Sequence, residues 1–232
     1  MTERRTPVWV RAARVYREKG PGGVWFGALS LVGYRRLLLL ERRLDEPIPR
    51  LTARVEAEIR PLRPEDEGEF ARLGHGDVET FARRLALGHR CWGAWVAGRL
   101  RHFAWLACGE ARVEYLRCRV LLDEGVVYAY HAYTDPACRA LGLSAARQSL
   151  CLARLRDEGL TLALAAILPD NPSSLPPCIK VGYRRVGVAR AFGTGPRPLI
   201  SVRLDRERPG AAGFTFARAL PNPALPTAPV RL

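Results

Sequence analysis

The sequence predicts an α/β (α+β) domain, a mixed central sheet of about six or seven strands flanked by helices, with an extra helical segment in front of it. Seven short stretches have the composition and spacing of strands. Two stretches with helix-start signals fall between the first strands, and a long helical stretch follows a later strand through an Asp-Pro turn. At 232 residues with 48% hydrophobic side chains, the chain can bury a core of that size in one domain.

Residues 1–50 read as an N-terminal helical extension. "PVWVRAARVYREKG" sets Val8, Ala12, Val15 and Tyr16 at helical spacing, with arginines between them. "PGGVWFGALSLVGYRRLLLLERRL" is apolar from Val24 to Tyr34 and is then interrupted by Arg35 and Arg36. That uncharged run falls short of the roughly 18 residues a spanning helix needs. A long charged lead without a small-x-small cleavage site argues against a signal peptide. Two readings stay open: helices packed on the main domain or on a second copy of the chain, or an interfacial anchor. The anchor would use residues 8–43, with Trp9, Trp25 and Phe26 at the headgroup level and arginines on lipid phosphates. "LDEPIPRLTA" is a linker.

The main domain is expected over 51–205. "ARVEAEIRPL" alternates Val55, Ala57 and Ile59 with Glu56, Glu58 and Arg60, a period-two strand. "RPEDEGEFARL" begins a helix with Pro64 in its first turn. "DVETFARRLALGH" is a second helix, capped by Asp77 and closed near Gly88. Residues from Cys91 to Val96 and from Leu100 onward form a hairpin about Ala97-Gly98. "GVVYAYHAYTDP" is a strand ending at Asp135-Pro136, and the long helix after it stops at Gly159. "LTLALAAILP", "RRVGVARAFG" and "RPLISVRLDR" supply the last strands, with a short helical segment in "DNPSSLPPCIKVGY". Residues 206–232, rich in Pro and Ala, are expected to be a loose tail.

A net charge of +14 invites a nucleic-acid or anionic-membrane partner. Only Lys19 and Lys180 are lysines, however, and the arginines are spread along the chain rather than gathered in a block. That argues against nucleic acid and leaves an acidic ligand or a lipid surface. Six cysteines form no C-x-x-C and no ligand pair near a histidine. Reduced thiols in a cytoplasm are the expectation, with the inner membrane face as the place of the anchor reading, and no metal is expected.

The stretch after Asp135-Pro136 bears on chemistry. A strand feeding a helix whose first turn is small residues leaves backbone N–H groups unpaired at the positive end of the macrodipole, where an anion fits. Residues Thr134, Pro136, Arg139 and Gly142 match the pattern V-x-P-x-x-R-x-x-G, with threonine at its first position. Asn171, Ser174, Lys180 and Gly182-Tyr183 follow as N-x-x-A/S and K-x-G-F/Y. Over about Val55 to Leu204 the chain resembles the GNAT superfamily of N-acyltransferases, which move an acyl group from coenzyme A to an amine.

The resemblance implies acetyl-CoA or another acyl-CoA as co-substrate and direct attack by a primary amine. It implies that the amides of Ala140, Leu141, Gly142, Leu143, Ser144 and Ala145 hold the pyrophosphate. Ala132, Tyr133 and Thr134 would pair with the pantetheine arm at a splay between parallel strands, with Asn171 and Ser174 nearby. Arg139 and Arg147 are candidates for the outer phosphates, against the plainer reading of solvated arginines. Ala140 stands where the family has a glycine. Pro176 and Pro177 require the helix after Asn171 to begin late or be short.

Cys178 occupies the position of the family's proton-donating tyrosine, either as a donor or as a small space-filler. His131, three residues before the coenzyme turn, is the leading candidate for general base, since it titrates near neutrality; strand alternation puts it and Tyr130 on opposite faces. Glu114 and Glu79 are weaker candidates. In the family the connection carrying His75 and Asp77 walls the acceptor site, and Trp92, Trp95, Trp105, Tyr128 and Tyr130 are core or pocket lining. The acceptor is expected to be a small amine, with an anionic or cell-envelope compound favoured by the basic chain. Two other readings remain: a non-catalytic acyl-CoA sensor or scaffold on the same fold, and a peripheral lipid or RNA binder working through its arginines.

Overall fold

The computed structural model describes residues 33–74, 78–169, 171, 173–195, 197–205 and 213–218, together with Leu29. The expected helices at 8–32, the residues His75 and Asp77, and the tail beyond 218 lie outside the described residues.

The N-terminal expectation is corrected first. Tyr34–Arg43 is not helical but a ten-residue strand, β1. It lies between β8 (Leu162–Ile167) and β9 (Arg184–Phe192), antiparallel to both. Leu37 and Leu39 go to one core and Leu40 to the other, so the strand is buried on both faces. A central strand needs no polar alternation, and the four consecutive leucines at 37–40 between charged residues have no period that separates strand from helix. The expected boundary near residue 50 therefore falls inside the sheet-bearing unit.

Eight strands make the main sheet, in the order β10-β9-β1-β8-β7-β4-β3-β2. Its remaining members are β2 (Glu58–Pro61), β3 (Arg90–Val96), β4 (Arg99–Cys108), β7 (Val126–Thr134) and β10 (Leu199–Leu204). β3 and β4 are the expected hairpin. Ala97 and Gly98 both have positive φ, which a tight two-residue hairpin turn demands. A second sheet, in the order β11-β6-β5, is formed by β5 (Glu110–Val113), β6 (Cys118–Leu122) and β11 (Phe214–Arg218). β11 corrects the expected loose tail: Phe214 is buried, and Phe216 packs on the same core.

Among the described residues four α-helices flank the main sheet: α1 (Glu67–Arg72), α2 (Val78–Ala86), α3 (Leu143–Asp157) and α4 (Leu175–Lys180). Cys151, Leu152 and Leu155 of α3 and Cys178 of α4 pack on Val127, Ala163 and Leu40 across one face of the sheet. On the other face α1 and α2 bring Phe70 and Phe81 against Phe103 and Trp105, and the small sheet covers Tyr128 and Leu164.

The expected strand at Val55–Ile59 is mostly extended chain. Only Glu58–Pro61 joins a ladder, yet Ala53, Val55, Ala57 and Ile59 all turn inward. Period two here reports burial rather than strand pairing. This segment crosses beside α3, with the Arg54 N–H donating to the Leu141 carbonyl at 2.8 Å and the Leu51 N–H to Ser149 Oγ at 3.1 Å.

Candidate active site at the strand splay

β7 and β8 run parallel, and their pairing stops at Ala129 opposite Ala165. Beyond that point Ala166 and Ile167 pair with β1, while β7 continues to Thr134 against β4 alone. A wedge opens between the two strands, as the resemblance implies.

A bulge shapes that wedge. Trp105 faces Tyr130 and Phe103 faces Tyr133, so His131 and Ala132 share one position opposite Ala104. His131 takes the bulge conformation at φ +45°, a left-handed backbone that costs a non-glycine residue about 1–2 kcal/mol. The extra residue cancels strand alternation. Tyr130 and His131, expected on opposite faces, both meet Arg84 of α2. The Arg84 Nη1 group donates to His131 Nδ1 at 2.6 Å, and the guanidinium lies 5.2 Å from the Tyr130 ring centroid.

The turn into α3 is held from both ends. Asp135 Oδ1 accepts the Ala137 N–H at 3.0 Å, and Oδ2 accepts from Arg101 at 2.6 Å. After a 3-10 turn over Pro136–Cys138, Ala140 and Gly142 both adopt left-handed φ, +62° and +79°. Gly142 serves as the cap of α3, and no side chain caps the first-turn N–H groups. A uncapped start on a helix of fifteen residues presents partial positive charge and free donors to the mouth of the wedge. Ala140 in the glycine position thus keeps the bend and carries left-handed strain.

Arg139 is exposed beside this turn. Arg147 is neither solvated nor turned to an outer phosphate. It is 3% exposed, and its Nε donates to His102 Nε2 at 3.2 Å. Arginine only donates, so His102 carries its proton on Nδ1, which donates to Thr134 Oγ1 at 2.8 Å. Burial, then the Arg147 charge, holds His102 well below the usual histidine range, so it is neutral. This relay fixes Thr134, at the end of β7, to the second turn of α3.

Asn171 turns its side chain inward on its own segment: Oδ1 accepts from Ser173 Oγ at 2.8 Å and from the Ser174 N–H at 3.2 Å. Asn171 and Ser174 build the start of α4, and the Asn171 carbonyl oxygen is committed to that turn. Pro176 and Pro177 sit in the first turn of this six-residue helix, where a missing N–H does no harm. Cys178 is buried and donates to Gln148 Oε1 at 3.4 Å. Burial pushes its thiol up to about 11, which makes it a poor proton source and favours the space-filling reading.

On the opposite flank His131 accepts at Nδ1, so its proton sits on Nε2 and its lone pair is spent on Arg84. His89, at the end of the connection between α2 and β3, pairs through Nδ1 with the Tyr130 hydroxyl at 2.5 Å. Burial and the Arg84 charge lower its pKa. Glu79 is exposed in the first turn of α2, and Glu114 is paired with Arg112 at 3.4 Å. Trp92, Trp95 and Trp105 belong to the core, and the indole Nε1 of Trp105 is sealed without a partner. Arg84, His89 and His102 give no sequence signal, because tertiary packing of α2, of the connection after it and of β4 brings them to β7.

A separate open groove of about 530 Å³ lies at the other end of the sheet, between Arg42, Glu46, Tyr183 and Arg184, where Glu46 pairs with both arginines. Among the described residues no group of three or more His, Cys, Asp or Glu side chains is placed to hold a metal ion. No helix among them is long and apolar enough to cross a membrane.

No protein-family model matches the chain, and no curated protein matches it. Solved structures do. A GCN5-related N-acetyltransferase from Sphaerobacter thermophilus superposes with a TM-score of 0.51 at 11% identity, covering 73% of this chain and 56% of that one. The GCN5-related glucosamine N-acetyltransferase region of a fungal multi-domain GH3 beta-N-acetylglucosaminidase gives 0.51 at 15%, covering 80% and 23%. The fold is that of the GNAT acetyltransferases. A GNAT-family acetyltransferase from Novosphingobium aromaticivorans is also similar, at a TM-score of 0.48 and 18% identity, with 67% of this chain and 63% of that one covered. This GNAT-fold chain thus spans less than two thirds of the length of each of these neighbours.

Proposed function

We propose that the protein is an acyl-CoA-dependent N-acyltransferase, with acetyl-CoA as the first co-substrate to test and a small primary amine as acceptor. One observation carries the reading: the wedge between β7 and β8 opens directly onto the uncapped start of α3, where Ala140 and Gly142 bend the backbone. In this reading the amides of 140–145 hold the diphosphate of the coenzyme, and Arg139 adds charge from outside. The free edge of β7 over Ala132–Thr134 pairs with the pantetheine arm. The amine attacks the thioester carbon from the α2 side; the thiolate leaves, and the amine's proton goes to solvent or to His131 once Nδ1 is released from Arg84.

The test is a melting curve with and without acetyl-CoA, followed by thiol release with an amine library. A ligand at a hundred times its dissociation constant adds about 2.7 kcal/mol. No rise in melting temperature with acetyl-CoA or a longer acyl-CoA overturns the proposal. Two observations favour the non-catalytic alternative, a sensor or scaffold: the Cys178 thiol is buried, and the His131 lone pair is engaged. That reading predicts a melting rise with no thiol release on any amine.

A further inference from the structure

Arg84 brings a positive charge to a place that does not neutralise it. The guanidinium is half-buried in the last turn of α2, and burial above all lowers its pKa. It stands 5.2 Å from the Trp105 ring centroid as well as from that of Tyr130. Its hydrogen bond goes to a neutral acceptor, His131 Nδ1. No carboxylate pairs with it among the described residues. Glu114 attracts it only from a distance, Arg83 repels it, and Glu114 has its own ion pair with Arg112.

Three other arginines on the same half of the molecule have carboxylate partners, whereas the buried Arg147 holds the neutral His102. Arg60 holds Asp66 at 2.6 Å, Arg72 holds Glu69 at 2.8 Å and Arg101 holds Asp135 at 2.6 Å. An unmatched charge in a sheltered place is destabilising, and Arg147 bears that cost sealed in the core as a tie between His102 and α3, whereas Arg84 is only half-buried. None of the Arg84 nitrogens is among the buried unpartnered atoms of the described residues. Two ring faces and the His131 contact restrict the plane of the guanidinium, so its remaining fork is oriented before a ligand arrives.

We propose that Arg84 is the recognition site for an oxyanion, a carboxylate or phosphate group, carried by the amine acceptor. The inference rests on the acyl-transfer reading of the splay for the word acceptor, and on the side chains around Arg84 for the anion. The position suits the task. His131 sits in the bulge that shapes the wedge and meets Arg84 directly, so an anion held at the guanidinium lies one side chain from the wedge. An oxyanion that draws the Nη1 donor away also returns to His131 the lone pair that a base requires.

The test uses the full chain and three matched probes: benzoate, phenyl phosphate and the neutral benzamide, titrated by calorimetry. The two anions are expected to bind at least about tenfold more tightly than benzamide, the scale of one charge-assisted hydrogen-bonded pair. Arg84→Gln abolishes that ratio, and Arg84→Lys reduces it, because an ammonium keeps the charge and loses the fork. Whichever anion binds more tightly identifies the group carried. Equal affinity for all three probes, or an unchanged ratio in Arg84→Gln, overturns the proposal. Should Arg84→Gln not fold, Arg84→Lys decides: a smaller ratio supports the assignment, and an unaltered one overturns it. Acetyl-CoA is expected to raise the melting temperature of Arg84→Lys as it does that of the unaltered protein. A missing rise in both defeats the acyl-transfer reading alone, and the anion ratio still stands or falls by itself.

Discussion

The two flanks of the splay are built from different materials. On the α3 side the groups proposed to meet a ligand are peptide N–H groups, set by the left-handed φ of Ala140 and Gly142 and left without a side-chain cap. On the α2 side they are side chains, Arg84, Tyr130 and His131, brought together by one bulge in β7. A backbone site depends on conformation and tolerates changes of side chain that preserve it. A side-chain site depends on identity, and one residue slipped along the strand would dismantle it.

The largest effect is expected from the relay under the backbone flank. His102→Ala removes the acceptor of a buried guanidinium and should destabilise the fold by about 3 kcal/mol, whereas Arg147→Met, which removes the charge itself, should stay within about 1 kcal/mol. Urea denaturation of both variants checks this; equal losses would show that packing rather than the unpaired charge sets the cost.

Next comes Ser144→Asp in the first turn of α3. A carboxylate there suits the helix dipole, so melting of the free protein should hold or rise. It occupies the proposed anion seat, so acetyl-CoA should bind at least about tenfold more weakly, roughly 1.4 kcal/mol. Binding as tight as in the unaltered protein would remove the diphosphate from the α3 start.

The acid response should be smaller. Arg72 first, with Arg99 and the Leu100 N–H, holds the Glu69 carboxyl down to about 2. A depressed carboxylate pKa contributes stability above its unfolded value, and that contribution fades as the pH falls from about 4.5 toward 2. Glu69→Gln should therefore lose less melting temperature between neutral pH and about pH 3 than the unaltered protein does. An identical loss would show that Glu69 has no part in acid sensitivity.

The smallest effect belongs to Ala140→Gly. It relieves left-handed strain but adds unfolded-state freedom, for a net gain of no more than about 1 kcal/mol, with acetyl-CoA binding unchanged. A marked fall in affinity would mean that the alanine methyl itself touches the ligand.

The same division decides what the sequence discloses. The turn into α3 is legible, because Asp135-Pro136, Gly142 and the small residues after it are local turn and cap signals that need no tertiary information. The hairpin at Ala97-Gly98 and the helix at Val78–Ala86 are legible for the same reason. The His131 face is not. Its direction is set by a register slip against Phe103 and Trp105, and nothing in "YAYHAYT" marks where the extra residue falls. Arg147 looks like any arginine on a helix until the crossing of α3 over His102 shows it buried. β1 was hidden by its own burial, since a strand covered on both sides has no polar alternation to display.

That strand has a consequence for how the molecule comes to exist. Leu38 leaves the ribosome long before Ile167 and Val188, the two residues it finally lies between. At ordinary rates of translation the wait is on the order of ten seconds. During it the four leucines at the centre of the strand have neither neighbour, and the nascent chain must shelter them elsewhere or hand them to a chaperone until the second half arrives to close around them.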